Sequence, residues 1–267
     1  MIDIFQYIFF RNALAGICII SLASAMIGTY IVSRRLVALS GGVTHACFGG
    51  LGLGYFLGIN PLVAASVFAI GASAGVEWMS SRHRIREDSA IAVVWALGMA
   101  IGIMFVFLTP GYVPELNSFL FGNLLTISGS DLMAFGIYTV VLMLFFALFY
   151  RRIVVCAFDP DFARVSRLPV RFINYSMTVL VAVCIVLTIR LVGVMLLMSM
   201  LALPQLIAEI YFRKFGAIMV MSAIVSVFAS VAGLMTAAVV DVPGSAIIVL
   251  ILVVVYLLLR IIKAFTR

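Results

Sequence analysis

Residues 61–109 read PLVAASVFAIGASAGVEWMSSRHRIREDSAIAVVWALGMAIGIMFVFLT: two apolar stretches, 61–80 and 89–109, flank a short loop carrying Arg82, Arg84 and Arg86. A helix of about 20 apolar residues crosses the roughly 30 Å of hydrocarbon in a bilayer. Lipid offers the backbone no hydrogen-bond partners, so such a segment must satisfy its own and is helical. The same pattern recurs along the chain at 8–32, 36–58, 131–150, 172–189, 191–210, 215–237 and 243–262. The expected fold is an all-α polytopic membrane protein of eight to nine transmembrane helices, one membrane domain over 1–267. The count is open at 172–210, where Arg190 and Gly193 divide two short stretches.

Charge orients these spans. Of the 17 Lys and Arg residues, 15 fall in alternate gaps between spans or in the C-terminal tail: Arg34, Arg35, Arg82, Arg84, Arg86, Arg151, Arg152, Arg164, Arg167, Arg171, Arg213, Lys214, Arg260, Lys263 and Arg267. Only Arg11 and Arg190 fall on the other side. Cytoplasmic loops retain Lys and Arg, so the clustered side, with the C-terminus, is read as cytoplasmic. Nine crossings would then put the N-terminus outside. The first segment lacks a basic leader and a cleavage site and is expected to be a retained span.

Composition excludes several classes. The chain is 66% hydrophobic and 10% charged, which leaves no room for a separate water-soluble domain. The net charge of +7 comes from loop-end residues rather than from a basic stripe interleaved with aromatics, which argues against nucleic acid. Cys18, Cys47, Cys156 and Cys184 are scattered and form no CxxC pair, so neither a disulfide frame nor a zinc knuckle is expected. No Gly-rich phosphate loop, Ser/His/Asp set or HExxH motif occurs. The chain is therefore not expected to be an enzyme or to carry a cofactor. Any ATP hydrolysis would reside in a partner.

His45 is the most telling residue. It lies about nine or ten residues into the second span, near the bilayer midplane. Its helical neighbours at i−4, i−3, i+4 and i+7 are Gly41, Gly42, Gly49 and Gly52. A face so poor in side chains suits either close backbone packing or a passage for an ion, and ionisable groups inside a membrane are usually functional. Gly50, Gly54 and Gly58 add a second stripe that favours tight helix contact. Cys47 is two residues on, about 200° around the helix, so a stable multi-ligand zinc site is not indicated. Glu77, near the cytoplasmic end of the third span, reads as a snorkelling side chain, and His83 as solvated.

Two cytoplasmic loops are more than connectors. In Phe158-Asp159-Pro160-Asp161-Phe162-Ala163-Arg164, Asp159 is placed to cap a short helix with Pro160 at its first position. From Leu203-Pro204-Gln205 to Arg213-Lys214 a helical stretch carries Glu209, which either pairs with Arg213 at i+4 or faces a partner. The apolar segment 115–128 reads as a re-entrant or interfacial helix on the outer side. Asp241-Val242-Pro243-Gly244 reads as the turn that starts the last span.

Six motifs in order resemble the membrane-spanning subunit of bacterial ABC importers for zinc, manganese or iron, whose fold is related to that of the vitamin B12 and siderophore permeases. They are Leu39-Ser40-Gly41-Gly42-Val43-Thr44-His45-Ala46-Cys47-Phe48-Gly49-Gly50, Glu87-Asp88-Ser89-Ala90-Ile91-Ala92, Phe119-Leu120-Phe121-Gly122-Asn123-Leu124-Leu125, the Phe158–Ala163 loop, Val192-Gly193-Val194-Met195-Leu196-Leu197 with Leu203-Pro204, and Asp241-Val242-Pro243-Gly244-Ser245-Ala246.

The resemblance implies a homodimer in the bacterial inner membrane, two cytoplasmic ATPases and an extracytoplasmic metal-binding protein. It implies a translocation pathway past His45, with Gly41, Gly42, Thr44 and Gly49 beside it and His45 as the metal-contacting group. It implies ATPase coupling through Pro204, Gln205, Glu209 and Arg213. Where the family commonly has Asp one turn before the histidine, this chain has Gly41, and its Pro-Ala-Ala-x-Ala is changed to Pro204-Gln205-Leu206-Ile207-Ala208. A permease for an iron chelate or other small ligand is the nearest alternative. A gradient-driven transporter would need buried carboxylates that the span centres almost lack. An intramembrane enzyme would need paired catalytic groups, and none is seen.

Overall fold

A computed structural model describes residues 7–83, 85–110, 122, 124, 127–240 and 242–266. Among them the regular structure is helical: α1 Ile8–Ser33, α2 Val37–Leu57, α3 Pro61–His83, α4 Glu87–Leu108, α5 Gly129–Phe158, the short α6 Pro160–Val165, α7 Val170–Tyr211, α8 Phe215–Val240 and α9 Gly244–Phe265. Eight of these are long and apolar enough to cross a membrane. Most of the 115–128 segment expected to be re-entrant or interfacial lies outside the described residues, as does Asp241 in the turn before α9.

The open count at 172–210 has a structural basis. Gly193 interrupts α7 with φ 81° and ψ 170°, a conformation that glycine alone adopts readily. The element is thereby divided into 170–192 and 194–211, each close to the length of one crossing. Gly122, itself at positive φ, lies against this break. A Cβ on Gly122 would meet the Val192 carbonyl oxygen at 2.6 Å.

The chain forms two packed units. In the first, made from 34–116 and 149–187, α2 is the centre and packs on both α3 and α4. Glycine makes this possible. A Cβ on Gly50 would meet the Ala65 Cα at 2.5 Å, and one on Gly54 the Pro61 Cα at 2.7 Å. Across the other contact a Cβ on Gly102 would meet the Phe48 carbonyl oxygen at 2.5 Å. In lipid, water does not drive helices together. Close van der Waals approach does, and small residues permit it. Gly58 does something else: at φ 64° it ends α2, and the following N–H of Ile59 bonds back to the Gly54 carbonyl.

In the second unit, from 1–33, 117–148 and 188–267, α1 packs on α8, and α8 on α9. Ser21 and Ser24 of α1 and Ser222, Ser226 and Ser230 of α8 are fully buried. Large apolar side chains point outward on α4, α5 and α9, among them Leu97, Phe107, Val140, Leu144, Leu250 and Val254. In a membrane-spanning helix this is the surface that lipid covers.

Candidate functional site

His45 lies near the middle of the 21-residue α2, half-buried. Its ring stacks on Trp95 of α4, with centroids 4.5 Å apart and planes 4° from parallel, and less closely on Phe48 at 6.0 Å. Its Nδ1 is buried and has no hydrogen-bond partner among the described residues. Inside a membrane an imidazole nitrogen without a partner is costly to keep.

The surroundings differ from a side-chain-poor groove. Gly42 backs onto Ile91, Gly49 onto Phe68 and the Gly98 carbonyl, and Gly52 onto Gly102. Of the two uses open to these glycines, close packing is the one occupied at Gly42, Gly49 and Gly52. Gly41 is buried in the same helix. Thr44 is buried too, its hydroxyl donating to the Ser40 carbonyl at 2.6 Å, and Cys47 Sγ turns to the Val43 carbonyl at 3.1 Å. Both polar groups are thus satisfied by their own helix. Among the described residues no group of three or more His, Cys, Asp and Glu side chains converges.

The Trp95 contact was not read from the sequence. The signal that places α4 against α2 was present: Gly98 and Gly102 are four residues apart, a small-residue pair on one helix face.

The same unit holds an ionic network. Arg34, just after α1, binds the Glu87 carboxylate at 3.0 Å and lies 4.0 Å from Glu77. Asn174 donates to Glu77 at 3.2 Å. The Arg34 and Glu77 side chains are only 10% and 12% exposed and Glu87 is 32% exposed, so the cluster is buried at Glu77 and reaches the surface at Glu87. Glu77 is therefore engaged rather than snorkelling free. Nearby in sequence, His83 sets its ring edge against Trp78. Asp159 caps α6 as expected, accepting from the Phe162 N–H at 2.8 Å with Pro160 at the first position. Asp161 pairs with Arg164 at 3.0 Å on the surface.

In the other unit the expected coupling stretch is only partly exposed. Pro204 and Gln205 are buried inside α7, which continues unbroken to Tyr211. Gln205 Nε2 donates to the Ser24 carbonyl of α1 at 3.0 Å, and the amide fills the space that Gly28 leaves. A side chain so placed is not available to a docking partner. Glu209 is half-buried and Arg213 exposed, and the two line one cleft with residues of α9. They make no ion pair within 4 Å among the described residues. Arg190, one of the two basic residues on the minority side, pairs instead with Asp131 at 3.1 Å.

Residues 6–263 match the ABC 3 transport family. The chain belongs to this family. Its similarity to a probable metal transport system membrane protein of Chlamydia pneumoniae is 35% identity, over 84% of this chain and 78% of that one. To the manganese transport system membrane protein MntC of Listeria monocytogenes it is 27%, over 94% and 89%. The fold superposes on a chain of PsaBC from Streptococcus pneumoniae, solved in complex with Fab, with TM-score 0.83 and 25% identity, covering 97% of this chain and 93% of that one. As an ABC 3 family member the protein is a multi-pass permease subunit, and the resemblance read from its six motifs holds at the level of the family.

Proposed function

We propose that this chain forms, as a homodimer, the translocation pathway of an ABC importer for a divalent metal ion in a bacterial inner membrane. The observation that carries the reading is family membership across nearly the whole chain together with a similar manganese permease of Listeria. Manganese is the first substrate to test, with zinc and iron beside it. ATP binding and hydrolysis occur in a separate cytoplasmic ATPase, and an extracytoplasmic metal-binding protein delivers the ion. The C-terminus lies on the cytoplasmic side with the basic loops.

In this reading the nucleotide cycle rocks two copies of the single membrane domain between outward and inward states. The ion passes His45, whose imidazole nitrogen supplies a transient ligand at mid-membrane. Gly41 and Thr44 shape the adjoining helix turn. Glu209 and Arg213 carry contact with the ATPase, since of the four residues expected to couple they are the two that are not buried. Pro204 and Gln205 fix the helix behind them.

The test is ATP-dependent uptake into proteoliposomes holding this chain with its ATPase and binding protein, offered manganese, zinc and iron in parallel. The expected result is uptake of one free ion, lost in His45→Ala at equal protein content. Stimulated ATP hydrolysis without uptake of any free ion would replace this reading with transport of a metal chelate.

A further inference from the structure

We propose that the cleft between the end of α7 and the end of α9 binds the phosphate-bearing head group of an anionic phospholipid. The cleft measures about 500 Å³ and is lined by Leu206, Glu209, Arg213, Tyr256, Arg260 and Lys263, among others. Three cations and one carboxylate meet there, a local excess of two positive charges. Among the described residues, neither Arg213 nor Arg260 has a carboxylate within 4 Å. Lys263 donates to the Ile210 carbonyl, the only one of the three cations with such a bond among the described residues. Arg213 stands on the α7 wall that faces the ATPase in the proposed function, so Arg260, on the α9 wall, is the guanidinium left to present donors in the fork geometry that suits phosphate oxygens.

Two further observations favour a lipid over a soluble anion. Arg260 lies over the Tyr256 ring at 6.0 Å, and Lys263 over the Tyr211 ring at 5.7 Å. Tyrosine beside cations at the end of a span is the chemistry of the membrane border. From Arg260 back along α9, Leu250, Val254, Leu257 and Leu258 are more than half exposed and make an apolar track for acyl chains that starts beside the cleft. A basic pocket between spans at the membrane border is a recognised form of head-group site.

The experiment is native mass spectrometry of the delipidated full-length chain, titrated with phosphatidylglycerol, phosphatidylcholine or glycerol phosphate. Phosphatidylglycerol is expected to bind tightest. Arg260→Gln should weaken it about fivefold and Arg260→Glu further, since each basic group near such a head group is worth about that factor. Arg171→Gln, which removes an exposed cation that does not line the cleft, should leave it unchanged. Arg260 is exposed, so both variants should melt with the parent when no lipid is added. Equal binding of phosphatidylcholine, or an unchanged affinity in Arg260→Glu, would overturn the proposal. Glycerol phosphate binding as tightly as lipid would overturn it in favour of a soluble anion. Loss of ATPase capture in Arg260→Glu with lipid affinity intact would overturn it in favour of partner docking.

Discussion

The imidazole of His45 and the indole of Trp95 lie face to face, 4.5 Å between centroids and 4° from parallel. Such a stack contributes about 0.5–1.5 kcal/mol beyond the area it buries, and it fixes the plane of the imidazole. On the pathway proposed past His45, Trp95→Ala should therefore disturb transport. Uptake should fall in Trp95→Ala, fall further in His45→Ala, and fall no further in the double variant, with membrane abundance constant throughout. Additive losses in the double variant would show that Trp95 acts elsewhere.

The Arg34 network predicts asymmetric costs. Removing Arg34 leaves Glu77 and Glu87 close together without their cation, in a site where Glu77 is 12% exposed. Breaking a fully buried pair from one side costs about 3–5 kcal/mol, and the cost here is lower because Glu87 is 32% exposed, whereas replacing both partners by apolar residues is milder still. Arg34→Ala should thus melt well below the parent in detergent. Arg34→Met combined with Glu77→Gln and Glu87→Gln should recover most of the loss. A thermal shift series on the purified permease checks this.

Gly50 and Gly102 are steric requirements of helix contact. A side chain at either would collide with backbone of a neighbouring helix, at Ala65 and Phe48 respectively. Gly50→Val or Gly102→Val should cost about 1–3 kcal/mol or more by forcing helices apart. Gly71 and Gly75 face open space, so Gly71→Ala and Gly75→Ala should be near neutral. Protein yield and melting temperature in the four variants give the comparison.

Gln205 and Glu209 should separate stability from coupling. Gln205→Ala removes a buried hydrogen bond to Ser24 and leaves a void beside Gly28, at a cost of about 1–3 kcal/mol. Glu209→Ala removes a half-exposed carboxylate and should leave the stability within about 0.5 kcal/mol of the parent, with the melting temperature nearly unchanged. Its expected effect is on the ATP hydrolysed per ion transported. An unstable Glu209→Ala, or a Gln205→Ala of normal stability that is uncoupled, would reverse the two roles.

Much of this was legible beforehand because membranes impose coarse rules. The spans follow from apolar length, and the capping of α6 by Asp159 from local hydrogen bonding. The partner of Arg190 was not legible, since Asp131 is 59 residues away and nothing local links them. The burial of Gln205 was hidden for a similar reason. A polar residue after a proline near a span end looks like a surface group until α1 is placed against it.

The sequence by itself determined the element type, the place of each apolar run and the family, though not every helix end: the run read as 131–150 is a 30-residue helix, Gly129–Phe158. Those depend on runs of neighbouring residues and on backbone groups that lipid will not solvate. Only the tertiary structure decided which glycines are filled by another helix, which carboxylates share Arg34, and that the ring facing His45 is Trp95. These are contacts between residues far apart in the chain. In lipid they are settled by shape, through van der Waals fit between particular helix faces, and shape is not written in any single span.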